Sequence, residues 1–246
     1  FLPVADYLNF LFSGVMAAEE SLASTTQVYN PNRRAWSSEL IVRFGFLPSV
    51  FPQIVPSGTV LGNLCGSVCG ETGLGEGTKV IASCSHDTAS AVAAVPAAPG
   101  EDWTYLSSGT WSLIGVELAA PLISPAVLEQ NFTNEGGFGG STRFLKNMSG
   151  LWILQECRRS WEKSGGLAEY GDIARAAESS ASLRSLIDPS DARFVKPGNM
   201  PAKIQAYCRE TNQPVPETEG EIARCILESL ALSYRIAIDT LESLTG

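Results

Sequence analysis

The chain has 246 residues, with 26 acidic against 17 basic side chains and a net charge of −9. That length allows one large or two modest domains, each with its own core. The acidic balance, with no Lys- or Arg-rich tract, argues against nucleic acid as a partner, and the apolar run at 7–12 is far too short to cross a bilayer and lacks a signal peptide's charged leader. A soluble protein of the cytoplasm, with no membrane partner, is expected. Because the first residue is Phe1 and not methionine, translation is expected to begin upstream.

In chain order, residues 1–13 read as a helix stopped at Ser13-Gly14, and 17–26 as a second short helix or a turn. Residues 30–34 carry a turn signal, and 37–46 have helical spacing beside Trp36. Pro48, Pro52 and Pro56 predict an extended loop over 47–57, and frequent glycine predicts a bend over 58–77. No G-x-G-x-x-G opens a helix after a strand, so a Rossmann fingerprint is absent. Residues 79–83 read as a buried strand, followed by a polar turn with the only histidine, His86, and a small-residue helix over 88–95. Pro96 to Gly100 is the linker candidate, and the domain boundary is placed there, giving 1–98 and 99–246.

Residues 103–117 read as two strands joined at a turn, Ser107-Ser108-Gly109-Thr110. A proline-marked loop over 121–126, a flexible glycine turn over 134–140 and a strand over 141–146 follow. Amphipathic helices are predicted over 151–161, with Gln155 and Glu156 on the polar side, and over 170–180; a shorter one is predicted over 204–209. The longest helix spans 217–244, with a capping box at Thr218 and Glu221 and a core stripe of Ile222, Ile226, Leu230, Tyr234, Ala237 and Leu241. The six cysteines are too dispersed for a secreted disulfide framework, and Cys65 and Cys69 with one histidine in the chain argue against a zinc site. Reduced thiols are the direct reading.

Two polar stretches carry the chemistry. Asp87 stands where a helix begins, so its carboxylate either caps free N–H groups of the first turn or faces a substrate hydroxyl at the strand-to-helix corner. Ser107 to Thr110 is either an ordinary hairpin turn or a cradle whose N–H and hydroxyl donors approach phosphate oxygens. A base and a phosphate cradle on consecutive elements are two parts that phosphoryl transfer to an alcohol requires. Ser85-His86-Asp87 is no hydrolase triad, since sequence neighbours point apart.

His86-Asp87-Thr88-Ala89-Ser90-Ala91, then Tyr105 through Ser112, Asn134-Glu135-Gly136-Gly137, and Leu145-Lys146-Asn147 with Gly150-Leu151-Trp152 resemble the rhamnulokinases of the FGGY carbohydrate kinase family. The resemblance runs along essentially the whole chain. It implies an α/β fold of the actin/hexokinase-like ATPase type with ribonuclease-H-like topology, in parts of two lobes. Residues 1–98 would be the later part of the N-terminal, sugar-side lobe and 99–246 the earlier part of the C-terminal, nucleotide-side lobe. It implies transfer of a phosphoryl group from ATP, with Mg²⁺, to the 1-hydroxyl of L-rhamnulose. Asp87 would be the base; His86, Asp87, Thr88 and Asn147 would bind the sugar; Ser108, Gly109, Thr110 and Gln155 would bind the nucleotide. No metal ligand is assigned. The same resemblance marks Cys208 and Cys225 as a pair that can bridge. The family's Asp-x-Gly-Thr-type phosphate loop and its C-terminal adenosine motif have no counterpart in these residues, so half the positioning groups that the resemblance implies for the ATP site are expected to be missing from this stretch alone. An FGGY kinase for another ketose or polyol, or a non-catalytic sugar- or nucleotide-binding piece, are the alternatives.

Overall fold

In the computed structural model, which describes residues 1–98 and 102–246, helix α1 (Val4–Ser13) ends at Gly14. The left-handed backbone of Gly14 (φ 73°) returns its N–H to the Phe10 carbonyl at 2.7 Å. Then come β1 (Ala18–Glu19), α2 (Glu20–Ala23) and the hairpin of β2 (Tyr29–Asn30) and β3 (Ala35–Trp36) around the expected turn. Helix α3 (Ser38–Arg43) is capped by Ser37 Oγ, which accepts from the Leu40 N–H.

The loop expected over 47–57 contains a strand, β4 (Ile54–Val55), paired in parallel with β1. Pro52 and Pro56 flank it but leave Ile54 and Val55 their amide donors. The bend expected over 58–77 is also corrected, to β5 (Thr59–Asn63) and α4 (Gly66–Thr72). Strand β5 pairs antiparallel with β6 (Lys79–Ala82) through a bulge between Val60 and Gly62. Glycine at 62, 66 and 70 weighs against both elements locally, so tertiary pairing makes them. Strand β6 is not buried on both faces: Val80 and Ala82 face the core while Lys79 and Ile81 face out, because one face and one neighbour cover it.

Helix α5 (Asp87–Ala93) follows directly, and the linker expected over 96–100 lies partly outside the described residues. Strands β7 (Tyr105–Ser108) and β8 (Trp111–Leu118) flank the predicted turn. Helix α6 (Pro125–Glu129), capped by Ser124, occupies part of the expected loop. The flexible turn over 134–140 is a further correction: β9 (Thr133–Gly136) pairs antiparallel with β10 (Thr142–Ser149), leaving a 3₁₀ turn over Phe138–Gly140. These strands form a sheet in the order β7-β8-β10-β9.

By contacts the chain divides into two units, Phe1–Tyr105 with Gly115–Leu145, and Leu106–Ile114 with Lys146–Gly246. The second unit's core is built by α7 (Trp152–Lys163), α8 (Tyr170–Glu178), α9 (Met200–Glu210) and α10 (Glu219–Thr245). Helix α9 exceeds the expected 204–209 because Asn199 caps it and Pro201 fits its first turn. The α10 stripe is buried as expected, save Tyr234, which is half-buried with its hydroxyl 2.6 Å from Ser112 Oγ. Glu156, expected on the polar side of α7, is buried and paired with Arg159. All six cysteines are free thiols; Cys208 and Cys225 lie in this core, and burial pushes Cys225 up to about 12.

Strand β8 has no room for a side chain at Gly115: a Cβ there would overlap the Phe144 carbonyl oxygen and come within 2.7 Å of Leu145 Cβ. Gly115→Ala is expected to cost about 2–3 kcal/mol, read as a lower urea midpoint at unchanged slope. Gly75→Ala, where nothing lies within 4 Å, is the neutral control.

Candidate active site

Strand β6 ends at Ala82, and four residues later His86 occupies the N-cap position of α5 in extended conformation (φ −72°, ψ 121°). Its side chain makes no capping bond. Asp87, the first helical residue, is 98% exposed at its side chain. Its Oδ1 accepts from the Thr88 N–H at 2.6 Å and the Thr88 hydroxyl at 3.4 Å, and lies 3.6 Å from His86 Nδ1. The only helix N–H it takes is that of its neighbour, so the carboxylate stands in solvent and is not committed to the later N–H groups of the turn. Thr88 is buried beneath it, and His86 Nδ1 is buried without a hydrogen-bond partner among the described residues.

The corner is held from behind by groups that sequence reasoning missed. Glu19 is fully buried. Its Oε1 accepts from the Ser21 N–H at 3.0 Å and from the Ser57 hydroxyl. Its Oε2 accepts from the Ser85 N–H at 3.1 Å, the Leu22 N–H at 3.4 Å and the Ser21 hydroxyl. Ser21 Oγ in turn accepts from the His86 N–H at 3.0 Å. The one sequence signal was a pair of acids, Glu19-Glu20, inside a run of small and apolar residues. Behind Glu19, Asp6 Oδ1 accepts the Glu19 N–H at 3.1 Å, and Asp6 Oδ2 is buried without a partner among the described residues.

In the second unit, Ser108, Gly109 and Thr110 are all exposed. The Gly109 N–H is spent across the turn on the Trp111 carbonyl at 2.9 Å. The Gly109 and Thr110 carbonyls accept from the Leu151 and Trp152 N–H groups at 2.8 and 3.1 Å, which takes up the N–H groups of the α7 N-cap and first helical residue. Gly150 permits this approach: a Cβ there would come within 2.6 Å of the Gly109 carbonyl oxygen. One turn into α7, Gln155 Oε1 accepts from the Thr110 hydroxyl at 3.2 Å. The structure thus joins Thr110 to Gln155, and His86 to Asp87 and Thr88. Asn147 is exposed on β10, a strand that continues past the expected end at 146.

The chain matches two family models, "FGGY family of carbohydrate kinases, N-terminal domain" over residues 1–94 and the C-terminal domain of the same family over 104–246. The chain belongs to the FGGY family of carbohydrate kinases. Among curated FGGY relatives, a rhamnulokinase of Enterococcus faecalis is 43% identical over 245 residues, covering 100% of this chain and 49% of that protein. One from Oceanobacillus iheyensis is 44% identical, covering 99% and 50%. The chain thus spans about half the length of the curated relatives it matches. Among solved structures, xylulose kinases of Rhodospirillum rubrum and Lactobacillus acidophilus superpose with TM-scores of 0.70 and 0.71 at 22% and 16% identity, each covering 98% of this chain and 47% of theirs. The actin/hexokinase-like ATPase fold implied by the sequence is therefore present.

The Asn134-Glu135-Gly136 stretch is engaged within the fold. Asn134 bonds the Leu122 backbone twice at 2.8 Å, Glu135 pairs with buried Arg143 at 2.8 Å, and Gly136 leaves room for the Glu20 side chain. A pocket of about 220 Å³ in the first unit, lined by Glu20, Tyr29, Arg34 and Glu135 among others, includes none of the expected site residues. Among the described residues no three His, Cys, Asp or Glu side chains converge as a metal site, and no helix is long and apolar enough to cross a membrane.

Burial raises Asp6 from 3.8 to about 6, aided by the Glu19 charge and opposed by the Glu19 N–H. A carboxyl raised on folding gives stability that is complete below its unfolded value and lost as pH rises through its folded value. Relative to the parent, Asp6→Asn is expected to gain about 2–3 kcal/mol between pH 4 and pH 7, measured as the difference in unfolding free energy across that window.

Proposed function

We propose that this chain carries the sugar-side and phosphate-side residues of an ATP-dependent L-rhamnulose kinase of the cytoplasm. Support comes from relatives named rhamnulokinase at 39–44% identity, aligned over 95–100% of the chain. The single observation that carries the mechanism is the Asp87 carboxylate, fixed at a helix start yet 98% exposed at its side chain. In this reading residues 1–98 belong to the sugar-side lobe and 99–246 to the nucleotide-side lobe.

Asp87 accepts the proton of the sugar 1-hydroxyl as that oxygen bonds to the γ-phosphorus of ATP; the bond from γ-phosphorus to the bridging oxygen breaks, and ADP leaves. His86 and Asn147 orient the sugar by hydrogen bonds. Thr88, buried with its hydroxyl directed at Asp87 Oδ1, contacts the sugar at the corner only beside that carboxylate. The residues of the turn fit a phosphate: a Cβ at Gly109 would meet only the Trp111 carbonyl oxygen, at 3.6 Å, so the backbone is open to close approach. Ser108 and the Gln155 amide nitrogen supply donors, the latter oriented by the Thr110 hydroxyl on its oxygen. Mg²⁺ would enter with ATP and offset the charge of its phosphates.

The test is ADP release with Mg·ATP and L-rhamnulose, run beside L-fuculose, D-xylulose, L-ribulose and glycerol. Asp87→Asn is expected to lower kcat by about 10²- to 10⁴-fold without altering the far-ultraviolet circular dichroism. Gln155→Ala is expected to raise KM for ATP by about tenfold, the equivalent of one lost hydrogen bond, with a smaller effect on KM for the sugar. A rate with another sugar and none with L-rhamnulose moves the assignment to a different ketose or polyol. Sugar binding without ADP release, from this chain and from a full-length version alike, overturns the kinase reading.

A further inference from the structure

We propose that Glu19 is the positioning residue of the strand-to-helix corner over residues 85–87, and that it acts through Ser21. The inference deepens the reading of Asp87 as base and rests on it for its catalytic consequence, though not for its structural one. Asp87 is almost wholly in solvent and makes contacts only with its neighbours, so its own side chain does not anchor it. What fixes its place is the backbone of the two residues before it, and both N–H groups end on the Glu19 network. The Ser85 N–H donates to Glu19 Oε2 at 3.1 Å, and the His86 N–H donates to Ser21 Oγ at 3.0 Å, whose own proton goes to Glu19 Oε2.

The direction of the second link depends on the carboxylate. An ionised carboxylate only accepts, so it draws the Ser21 hydroxyl proton to itself and leaves a Ser21 lone pair for the His86 N–H. A glutamine at 19 cannot reproduce this. With its NH₂ at the Oε2 position it sets a donor against the Ser85 N–H and reverses the Ser21 hydroxyl toward the His86 N–H. With its NH₂ at the Oε1 position it faces the Ser21 N–H, which donates there at 3.0 Å. Either orientation opposes a buried backbone donor with another donor. The Ser57 hydroxyl bonds Oε1 alone, so removing it perturbs the same buried carboxylate without touching the atom that holds the corner.

The experiment is amide hydrogen exchange on the chain and on Glu19→Gln, Ser21→Ala, Ser21→Thr and Ser57→Ala, with steady-state kinetics on the same proteins. Glu19→Gln is expected to speed exchange at both Ser85 and His86 by about tenfold or more, and Ser21→Ala to do so at His86, while Val80 in β6 keeps its protection. Ser57→Ala is expected to leave Ser85 and His86 protected, and Ser21→Thr, which keeps the hydroxyl, to restore His86. In the assay, Glu19→Gln and Ser21→Ala are expected to lower kcat by about tenfold with KM for ATP unchanged. Unaltered exchange at Ser85 and His86 in Ser21→Ala, or acceleration spread evenly through the first unit, overturns the proposal, and Ser21→Ala decides the matter if Glu19→Gln fails to fold. Should neither the set, parent included, nor a full-length version transfer phosphate, the kinase reading fails while the exchange pattern still upholds or overturns the clamp.

Discussion

A carboxylate removed from water has to find its hydrogen bonds inside the fold, and Glu19 meets that requirement with donors from three separate stretches of chain. The first unit's topology follows from delivering them. The parallel pairing of β1 with β4, Ala18 opposite Ile54, carries Ser57 to Oε1 two residues beyond the strand. The β5–β6 hairpin, closed at its base by the Gly58 N–H on the Ala82 carbonyl at 2.6 Å, carries Ser85 to Oε2. Helix α1 supplies Asp6 to the Glu19 N–H. The desolvation cost of the acid is offset only when all of these meet, so the segments are registered by one side chain. That explains how very short strands hold a defined arrangement without a large sheet.

The second unit solves a similar problem with backbone groups. The first N–H groups of a helix have no partner within it. Here the Gly109 and Thr110 carbonyls supply them for Leu151 and Trp152, at the one place where Gly150 allows two backbones to approach. Turn and helix therefore move as one piece. Ile153, Leu154, Cys157 and Trp161 fix α7 in the helical core, which sets the position of Gln155 and, through it, the Thr110 hydroxyl. The Leu151 and Trp152 N–H groups, already bonded, are not available to an anion. The open donors lie on the exposed side of the turn and on Gln155.

These two solutions differ in how far they could be read from sequence. The helices of the second unit were legible because an apolar stripe such as Ile222, Ile226 and Leu230 is a local property, as is the Thr218–Glu221 capping box. The corner at His86, Asp87 and Thr88 was legible because its residues are adjacent. Strands β4 and β5 and helix α4 were not, since proline and glycine weigh against them locally and only pairing with β1 and β6 supports them. Asp6 and Glu19 were missed for the same reason: their partners lie as far as 66 residues away, and an acid in a sequence, even in the pair Glu19-Glu20, reads as surface.

Hydrogen-bond accounting separates motif residues that are engaged within the fold from those left open. Asn134 has its amide oxygen and nitrogen taken by the Leu122 backbone, and one Glu135 carboxylate oxygen accepts from the Arg143 guanidinium. Displacing either partner for a ligand would cost about 1–3 kcal/mol, or more for the buried Arg143 charge. Asp87, Asn147, Ser108 and Thr110 are exposed, although the Thr110 hydroxyl is engaged by Gln155 and one Asp87 oxygen by Thr88. Both sets carry the family resemblance, and the first is engaged within the scaffold. The second set is what the scaffold presents, and Glu19 with Ser21 stands between them, consumed within the fold yet bonded to the backbone on which Asp87 is carried.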